Sequence, residues 1–435
     1  MRLFGTMEVV KDNLSIGGVD TTTLVEKFGT PLYVIDEALV RDNCRRYFNS
    51  FKVKERDNRV AYAGKAFLTI AMCQIIKEEG LNLDVVSGGE LYTAFKSGFP
   101  MERIYFHGNN KTFEEINMAL GFGIGRVVVD NIQELEIINK ISLSLGRAQD
   151  ILLRVTPGIE AHTHEYIKTG QIDSKFGFSV LNGNLIEIMD IIKEMKGINF
   201  RGLHCHIGSQ IFEPEAYEAT IDVMTEMIRD LKKIKGISVK ELNLGGGFGI
   251  YYKEGDEPKE IEEFSNIIIN RMDERCRNLD IELPRLIIEP GRSIVGNAGT
   301  TLYTVGSIKD IPNVRKYVSV DGGMTDNIRP SLYNAEYECV LANKVTGSLD
   351  EQVTISGKCC ESGDVLLSDV KIPIATQGDV LAVLSTGAYC YAMSSNYNKI
   401  PKAPVVLVKG GRSTLICKRE TYEDIIKNEL YINAV

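Results

Sequence analysis

Histidine is scarce in this chain, five in 435 residues, and its nine cysteines include no CxxC pair. Zinc sites are built from closely spaced Cys and His, so a zinc ribbon is excluded and a histidine-rich metal centre has little to draw on. The cysteines (Cys44, Cys73, Cys205, Cys276, Cys339, Cys359, Cys360, Cys390, Cys417) are scattered and odd in number, which gives no disulfide framework. Most are expected as small buried hydrophobes. Cationic excess is also missing: the net charge is -9, whereas a nucleic-acid surface needs clustered Lys and Arg. An anionic ligand must then be met locally, by single arginines or backbone amides. No apolar run approaches a membrane span, and the opening stretch MRLFGTMEVVKDNLSIGG carries acids and glycines where a secretory signal has a continuous apolar core. A cytoplasmic location is the expectation. Neither the phosphate loop GxxxxGK(S/T) nor a dinucleotide fingerprint occurs, and no internal repeat or low-complexity segment is apparent.

What is present is rhythm. Between about residues 59 and 290, short β-branched runs alternate with longer amphipathic ones, the pattern of repeated βα units. Eight strands are expected to end near Tyr62, Val86, Phe106, Val129, Val155, Cys205, Leu244 and Ile288, with helices over 67–79, 131–145, 215–235 and 261–279. Eight units in this length predict a (β/α)8 barrel, with a doubly wound sheet as rival. From about residue 295 the pattern changes to strand-like runs broken by Gly, Pro and Asn, at 301–307, 316–320, 351–356, 380–384 and 404–408. The expected organisation is a barrel over 37–294 and a mostly β domain from 1–36 and 295–435, with GTPLYVID at 29–36 joining the latter.

Barrel enzymes keep their chemistry at the carboxyl ends of the strands. Those ends read Lys65, then Asp84 and Ser87, His107, Arg154, His206 and Ser209, GGG at 245–247, and EPGR at 289–292. A lysine after a strand is ordinarily a solvated surface residue, but a lysine on such a rim can also bond covalently to a carbonyl. The glycine run LGGGFG at 244–249 is either a flexible turn or a phosphate cradle, since glycines let successive N–H groups approach an anion; Arg292 lies beside it. His204 and His206 share one strand face. A metal pair would need further ligands, so His206 at the mouth is expected as a stacking partner and His204, lower down, as a core histidine. Glu289 suits either an ion pair with Arg292 or a hydrogen bond to a pyridine nitrogen.

Lys65, HIGSQ, GGGFG and EPGR in this order resemble the fold-type III pyridoxal-phosphate-dependent decarboxylases, whose barrel is alanine-racemase-like. GTPLYVID, YAGKA at 62–66, DVVSGGEL at 84–91, RVTPGIEAHTHEYIKTGQIDSKFGF at 154–178, GLHCHIGSQ at 202–210, DGGMTDNIRPSLY at 321–333 and CCESGD at 359–364 are similar to the diaminopimelate decarboxylase branch of that family. The resemblance spans nearly the whole chain. It implies pyridoxal 5'-phosphate as cofactor, no metal, a homodimer with shared active sites, and decarboxylation of meso-2,6-diaminopimelate to L-lysine and CO2, the last step of lysine biosynthesis. It implies that Lys65 bonds to the cofactor, His206 stacks on its ring, Glu289 holds its ring nitrogen, and Ser209, Gly246, Gly291, Arg292 and Tyr389 hold its phosphate. Cys360, from the second subunit, would be the acid. Arg292, Arg329, Tyr333, Glu361 and Tyr389 would bind substrate. Thr156 stands where the family often has Asn, with no role assigned.

Charge agrees with the substrate that the resemblance implies. Diaminopimelate presents a distal carboxylate and ammonium, calling for arginine together with a carboxylate, whereas ornithine presents only an ammonium. The alternatives are a basic-amino-acid or carboxynorspermidine decarboxylase, an amino-acid racemase, a silent cofactor-binding homologue, and a metal-dependent barrel hydrolase.

Overall fold

The computed structural model describes residues 2–53, 56–158, 175–179 and 184–432. The part of the resembling segment that lies at 159–174 is outside the described residues. The chain divides into two units, one of Asn43–Ile250 with Glu257–Ser293, the other of Met1–Asp42, Tyr251–Asp256 and Ile294–Val435.

In the first unit, eight parallel strands form a closed ring: Arg59–Ala63, Asn82–Val85, Ile104–Phe106, Arg126–Val129, Gln149–Thr156, Ile198–His204, Glu241–Asn243 and Arg285–Ile288. Closure is explicit, because the last strand pairs with the first and the fourth with the fifth. These are the eight strands read from the sequence. Their near-continuous apolar runs follow from burial on both faces, against helices outside and side chains inside. Ala61, Tyr105, Val128, Leu152 and Ile287 pack together as one cluster of the interior, so the barrel is filled rather than hollow.

Helices begin just beyond strand ends because capping residues stand there. Thr69 accepts from the Met72 N–H, Thr112 and Glu115 form a reciprocal capping box, and Asn131 accepts from the Glu134 N–H. Gly123 ends one helix in the left-handed conformation. Each cap fixes where the preceding loop stops, and thereby the aim of the rim residues.

The second unit is built on the long strand Gly299–Ile311. It pairs antiparallel with Leu32–Asp36, Val380–Val383 and Arg315–Val320, while Val405–Lys409 adds parallel to Leu32–Asp36. Its pairing with Arg315–Val320 carries a register shift between Val305 and Ile308. The N-terminal segment thus joins the β domain as expected, and its Leu14, Ile16, Leu24, Leu32 and Val34 share a core with Leu302, Leu384 and Val406. The sequence reading did not anticipate the strands Glu8–Val10, Asn13–Ile16, Val365–Ile372 and Arg412–Cys417.

Candidate active site

Glu289 follows the eighth barrel strand and is 6% exposed. Its Oε1 accepts from His107 Nε2 at 2.8 Å and from Asn243 Nδ2 at 2.7 Å, and its Oε2 accepts from His204 Nε2 at 3.1 Å. His204 Nδ1 has no partner among the described residues, so the neutral imidazole carries its proton on Nε2. A carboxylate has about four lone-pair sites. Three are filled, and the free one is on Oε2.

Burial alone would raise the Glu289 carboxyl, but the two histidines outweigh it and hold the group well below the usual carboxylate range. His204 is pushed down to about 4, by burial first and against the pull of Glu289. The anion therefore sits on Glu289. Although His107, His204 and Glu289 place ligand atoms within 4.8 Å of one another, the direct N···O separations are hydrogen-bond lengths. Asp84, from the second strand, is buried with Oδ1 unpartnered and 3.7 Å from His107 Nε2. Burial, reinforced by the charge on Glu289 and opposed by His107, pushes its carboxyl up to about 6.

Lys65 lies in the one-turn helix Gly64–Ala66 after the first strand, exposed and without a partner among the described residues. Its charge acts on Asp84, Glu90 and His206, which places it over the same rim. His206 is half-buried beyond the sixth strand. Burial, then the cations Lys65 and Arg154, keep its imidazole well below its ordinary value and so neutral. Gly245, at φ +70, lets the ring lie against it: a Cβ there would stand 2.7 Å from His206 Nδ1.

The loops after strands six, seven and eight close on one another through glycines. A Cβ on Gly246 would be 2.1 Å from the Glu289 carbonyl oxygen, and one on Gly291 2.9 Å from the Ala63 Cβ. The backbone N–H groups of Gly246 and Gly291 have no acceptor among the described residues, although both residues are buried. Buried donors without partners are costly. Beside them, Arg292 Nη2 donates to Ser209 Oγ at 2.8 Å. The loops offer amides, a guanidinium and a hydroxyl to an anion.

Ser87, two residues past the second strand, also caps the helix Gly88–Lys96, its hydroxyl accepting from the Glu90 N–H. Arg292 is not the ion-pair partner of Glu289, whose partners are histidines and Asn243. Asn243 was missed, although it stands two residues before Gly245 on the seventh strand and its Oδ1 fixes the Gly245 N–H at 2.9 Å. Thr156, left without a role by the sequence, donates to the Phe176 carbonyl at 2.8 Å and so holds that ring 4.3 Å from the Arg154 guanidinium.

In the β unit, Arg329 opens the helix Arg329–Tyr333, with its guanidinium carbon 5.4 Å from the ring centres of both Tyr333 and Tyr389. Tyr389 sits at φ +62. Cys360 is exposed on a loop organised by Asp364, which accepts the N–H groups of Met324 and Cys359 at 2.6 and 2.7 Å. The Cys360 N–H donates to Asn398. Glu361, also exposed, has no ion pair among the described residues. Ser331 Oγ donates to the Gly363 carbonyl, tying this loop to the helix that bears Arg329.

A lysine, a buried carboxylate with a free acceptor position, a neutral histidine and an anion cradle thus lie on one barrel rim. Residues 37–296 match the family profile described as pyridoxal-dependent decarboxylase, pyridoxal binding domain. The chain is 51% identical over 418 residues to the diaminopimelate decarboxylase of Bacillus subtilis, covering 96% of this chain and 95% of that one. It is 47% identical to that of Staphylococcus aureus, over 96% and 97% of the two chains. Among solved structures, diaminopimelate decarboxylase of M. jannaschii in complex with L-lysine superimposes with a TM-score of 0.92 at 38% identity, over 98% of both chains. The Helicobacter pylori enzyme, also complexed with L-lysine, gives 0.86 at 31% identity, over 94% of this chain and 99% of that one. The chain belongs to the diaminopimelate decarboxylase family.

The residues present fit pyridoxal 5'-phosphate. The Gly246 and Gly291 amides, without acceptors among the described residues, suit its phosphate, the free Oε2 position suits its ring N–H, and Lys65 offers an amine.

Proposed function

We propose that this protein decarboxylates meso-2,6-diaminopimelate to L-lysine and CO2. The observation that carries the reading is the buried Glu289 anion, locked by His107, His204 and Asn243 with one acceptor position left open. When bound, the cofactor supplies an electron sink for the carbanion left by CO2, provided its ring nitrogen stays protonated. Glu289 would keep it so. Lys65 would be the residue that bonds to the cofactor, His206 would stack on its ring as a neutral imidazole, and Ser209, Gly246, Gly291, Arg292 and Tyr389 would hold its phosphate.

For the substrate, Arg292, Arg329, Tyr333, Tyr389 and Glu361 serve the distal amino-acid end, which carries both signs of charge. Cys360 delivers the proton that replaces the carboxylate, contributed by the second subunit of a homodimer. A thiol that keeps its proton near neutral pH can do this. Dimer assembly and a cytoplasmic location are part of the same reading; among the described residues no helix is long and apolar enough to cross a membrane.

The test is a substrate panel with products identified. CO2 and L-lysine are expected from meso-diaminopimelate. Release of CO2 from ornithine or arginine, with none from diaminopimelate, would overturn the assignment of Arg329 and Glu361 to a distal amino-acid end.

A further inference from the structure

Arg329 is 9% exposed, and among the described residues its partners are Tyr337 and Asn327, with no carboxylate paired to it. A buried guanidinium with only neutral neighbours has donors left for an anion. What holds it is a closed circuit of hydrogen bonds. Arg329 Nε donates to the Tyr337 hydroxyl at 2.8 Å, and that oxygen lies 3.8 Å from Cys390 Sγ. Cys390 Sγ donates to Asn327 Oδ1 at 3.4 Å, and the same oxygen accepts the backbone N–H of Arg329 at 3.3 Å. Either the phenol or the thiol can donate in the Tyr337–Cys390 contact, and Cys390 Sγ also lies 3.7 Å from the Ala388 carbonyl oxygen. All members of the circuit are buried, and the Tyr252 ring meets Tyr337 edge-on with centroids 5.3 Å apart. Burial raises the Tyr337 phenol well above its ordinary value, so it stays a neutral relay.

An arginine can grip a carboxylate side-on, through Nε and one Nη, or end-on through both Nη groups. With Nε occupied, only the second mode remains. We propose that Tyr337, steadied by Cys390, is a positioning residue that fixes Arg329 and reserves its two Nη groups for the carboxylate at the far end of the amino-acid substrate. This rests on the reading of Arg329 given under the proposed function. Tyr337 itself touches no substrate; it sets the direction of the group that does.

The experiment uses the holoenzyme and two competitive ligands, L-lysine, which carries a carboxylate, and 1,5-diaminopentane, which does not. In Tyr337→Phe, KM for meso-diaminopimelate is expected to rise about tenfold, as for a lost hydrogen bond to a charged group, with kcat within about twofold and the visible absorbance of bound cofactor unchanged. Inhibition by L-lysine weakens by about the same factor while that by 1,5-diaminopentane does not. An unchanged KM and L-lysine inhibition, or equal weakening of both ligands with a fall in kcat, overturns the proposal. If Tyr337→Phe does not fold, Cys390→Ala carries the test: it removes the sulfur that contacts the Tyr337 hydroxyl and is expected to shift L-lysine inhibition about threefold in the same direction, and no shift overturns the proposal. The two readings fail differently. A wild-type enzyme inert toward diaminopimelate defeats the function, whereas the contrast between L-lysine and 1,5-diaminopentane, read as ligand-induced change in the cofactor spectrum, still decides the role of Tyr337.

Discussion

His107 Nε2 stands 2.8 Å from Glu289 Oε1 and 3.7 Å from Asp84 Oδ1, so one imidazole faces two buried carboxylates. The nearer carboxylate takes the hydrogen bond and stays ionised, while the farther is pushed toward its neutral form. Burial is what raises Asp84, whereas hydrogen bonds from His107, His204 and Asn243 keep Glu289 charged.

Glu289→Gln keeps the shape but removes the charge. Cofactor is expected to bind, with kcat lowered by about 10²–10³, the scale of losing one preorganised electrostatic contact. Spectral titration with pyridoxal 5'-phosphate beside turnover assays separates the two effects. Asn243→Ala strips one donor from the same anion and should destabilise the fold by about 1.5–3 kcal/mol, read from urea denaturation.

Gly246→Ala places a methyl group 2.1 Å from the Glu289 carbonyl oxygen. Because the opposing atom is backbone, relief requires the loops after strands seven and eight to separate, at a cost of about 1–3 kcal/mol. The variant is expected to purify without cofactor and to need excess pyridoxal 5'-phosphate for colour. Normal affinity would show that these loops do not form the cradle.

The pH dependence of stability has two opposed contributions. His204 has a folded value near 4 against 6.5 when unfolded, so it adds stability above about pH 6.5 that is lost as pH falls toward 4. Asp84 has a folded value near 6 against 3.8, so its contribution is present below 3.8 and is lost as pH rises through 6. Between about pH 4 and 6 one proton is missing from the native state at His204 and one is extra at Asp84, and the slopes offset. Asp84→Asn removes the second. In cofactor-free protein it should raise stability near pH 8 by on the order of 1–3 kcal/mol and leave a steeper acid loss below about pH 6. Superimposable urea curves for wild type and variant at both ends would refute this.

Cys360→Ala is expected to retain the cofactor spectrum and to lose turnover by about 10²–10⁴, the usual scale of a positioned acid. Stopped-flow spectra after mixing with substrate would show whether cofactor-linked changes proceed while L-lysine fails to appear. Full turnover removes the thiol from the mechanism.

The barrel was legible because its signals are local. Runs such as RVAYA at 59–63 and RLII at 285–288 announce buried strands by composition alone. Lys65, His206, Glu289 and the glycine loop were legible as a set because a barrel brings strand ends to one rim. Asn243 and the circuit from Asn327 through Cys390 to Tyr337 were not, since each is an ordinary residue whose role exists only through partners far along the chain. The missed strands at 8–20 fail for another reason: they are two to four residues long and interrupted by turns at Lys11, Asp12, Gly17 and Gly18, all at positive φ.

The strand Leu32–Asp36 has as its neighbours Gly299–Ile311 and Val405–Lys409. During synthesis it emerges early but has nothing to pair with until most of the chain has been made. The barrel, whose strands pair with near neighbours in sequence except at the closing pair, can condense meanwhile. This segment is therefore made well before its partners, and an interval with VVLVK still untranslated leaves LYVID as an open strand edge that other chains can join.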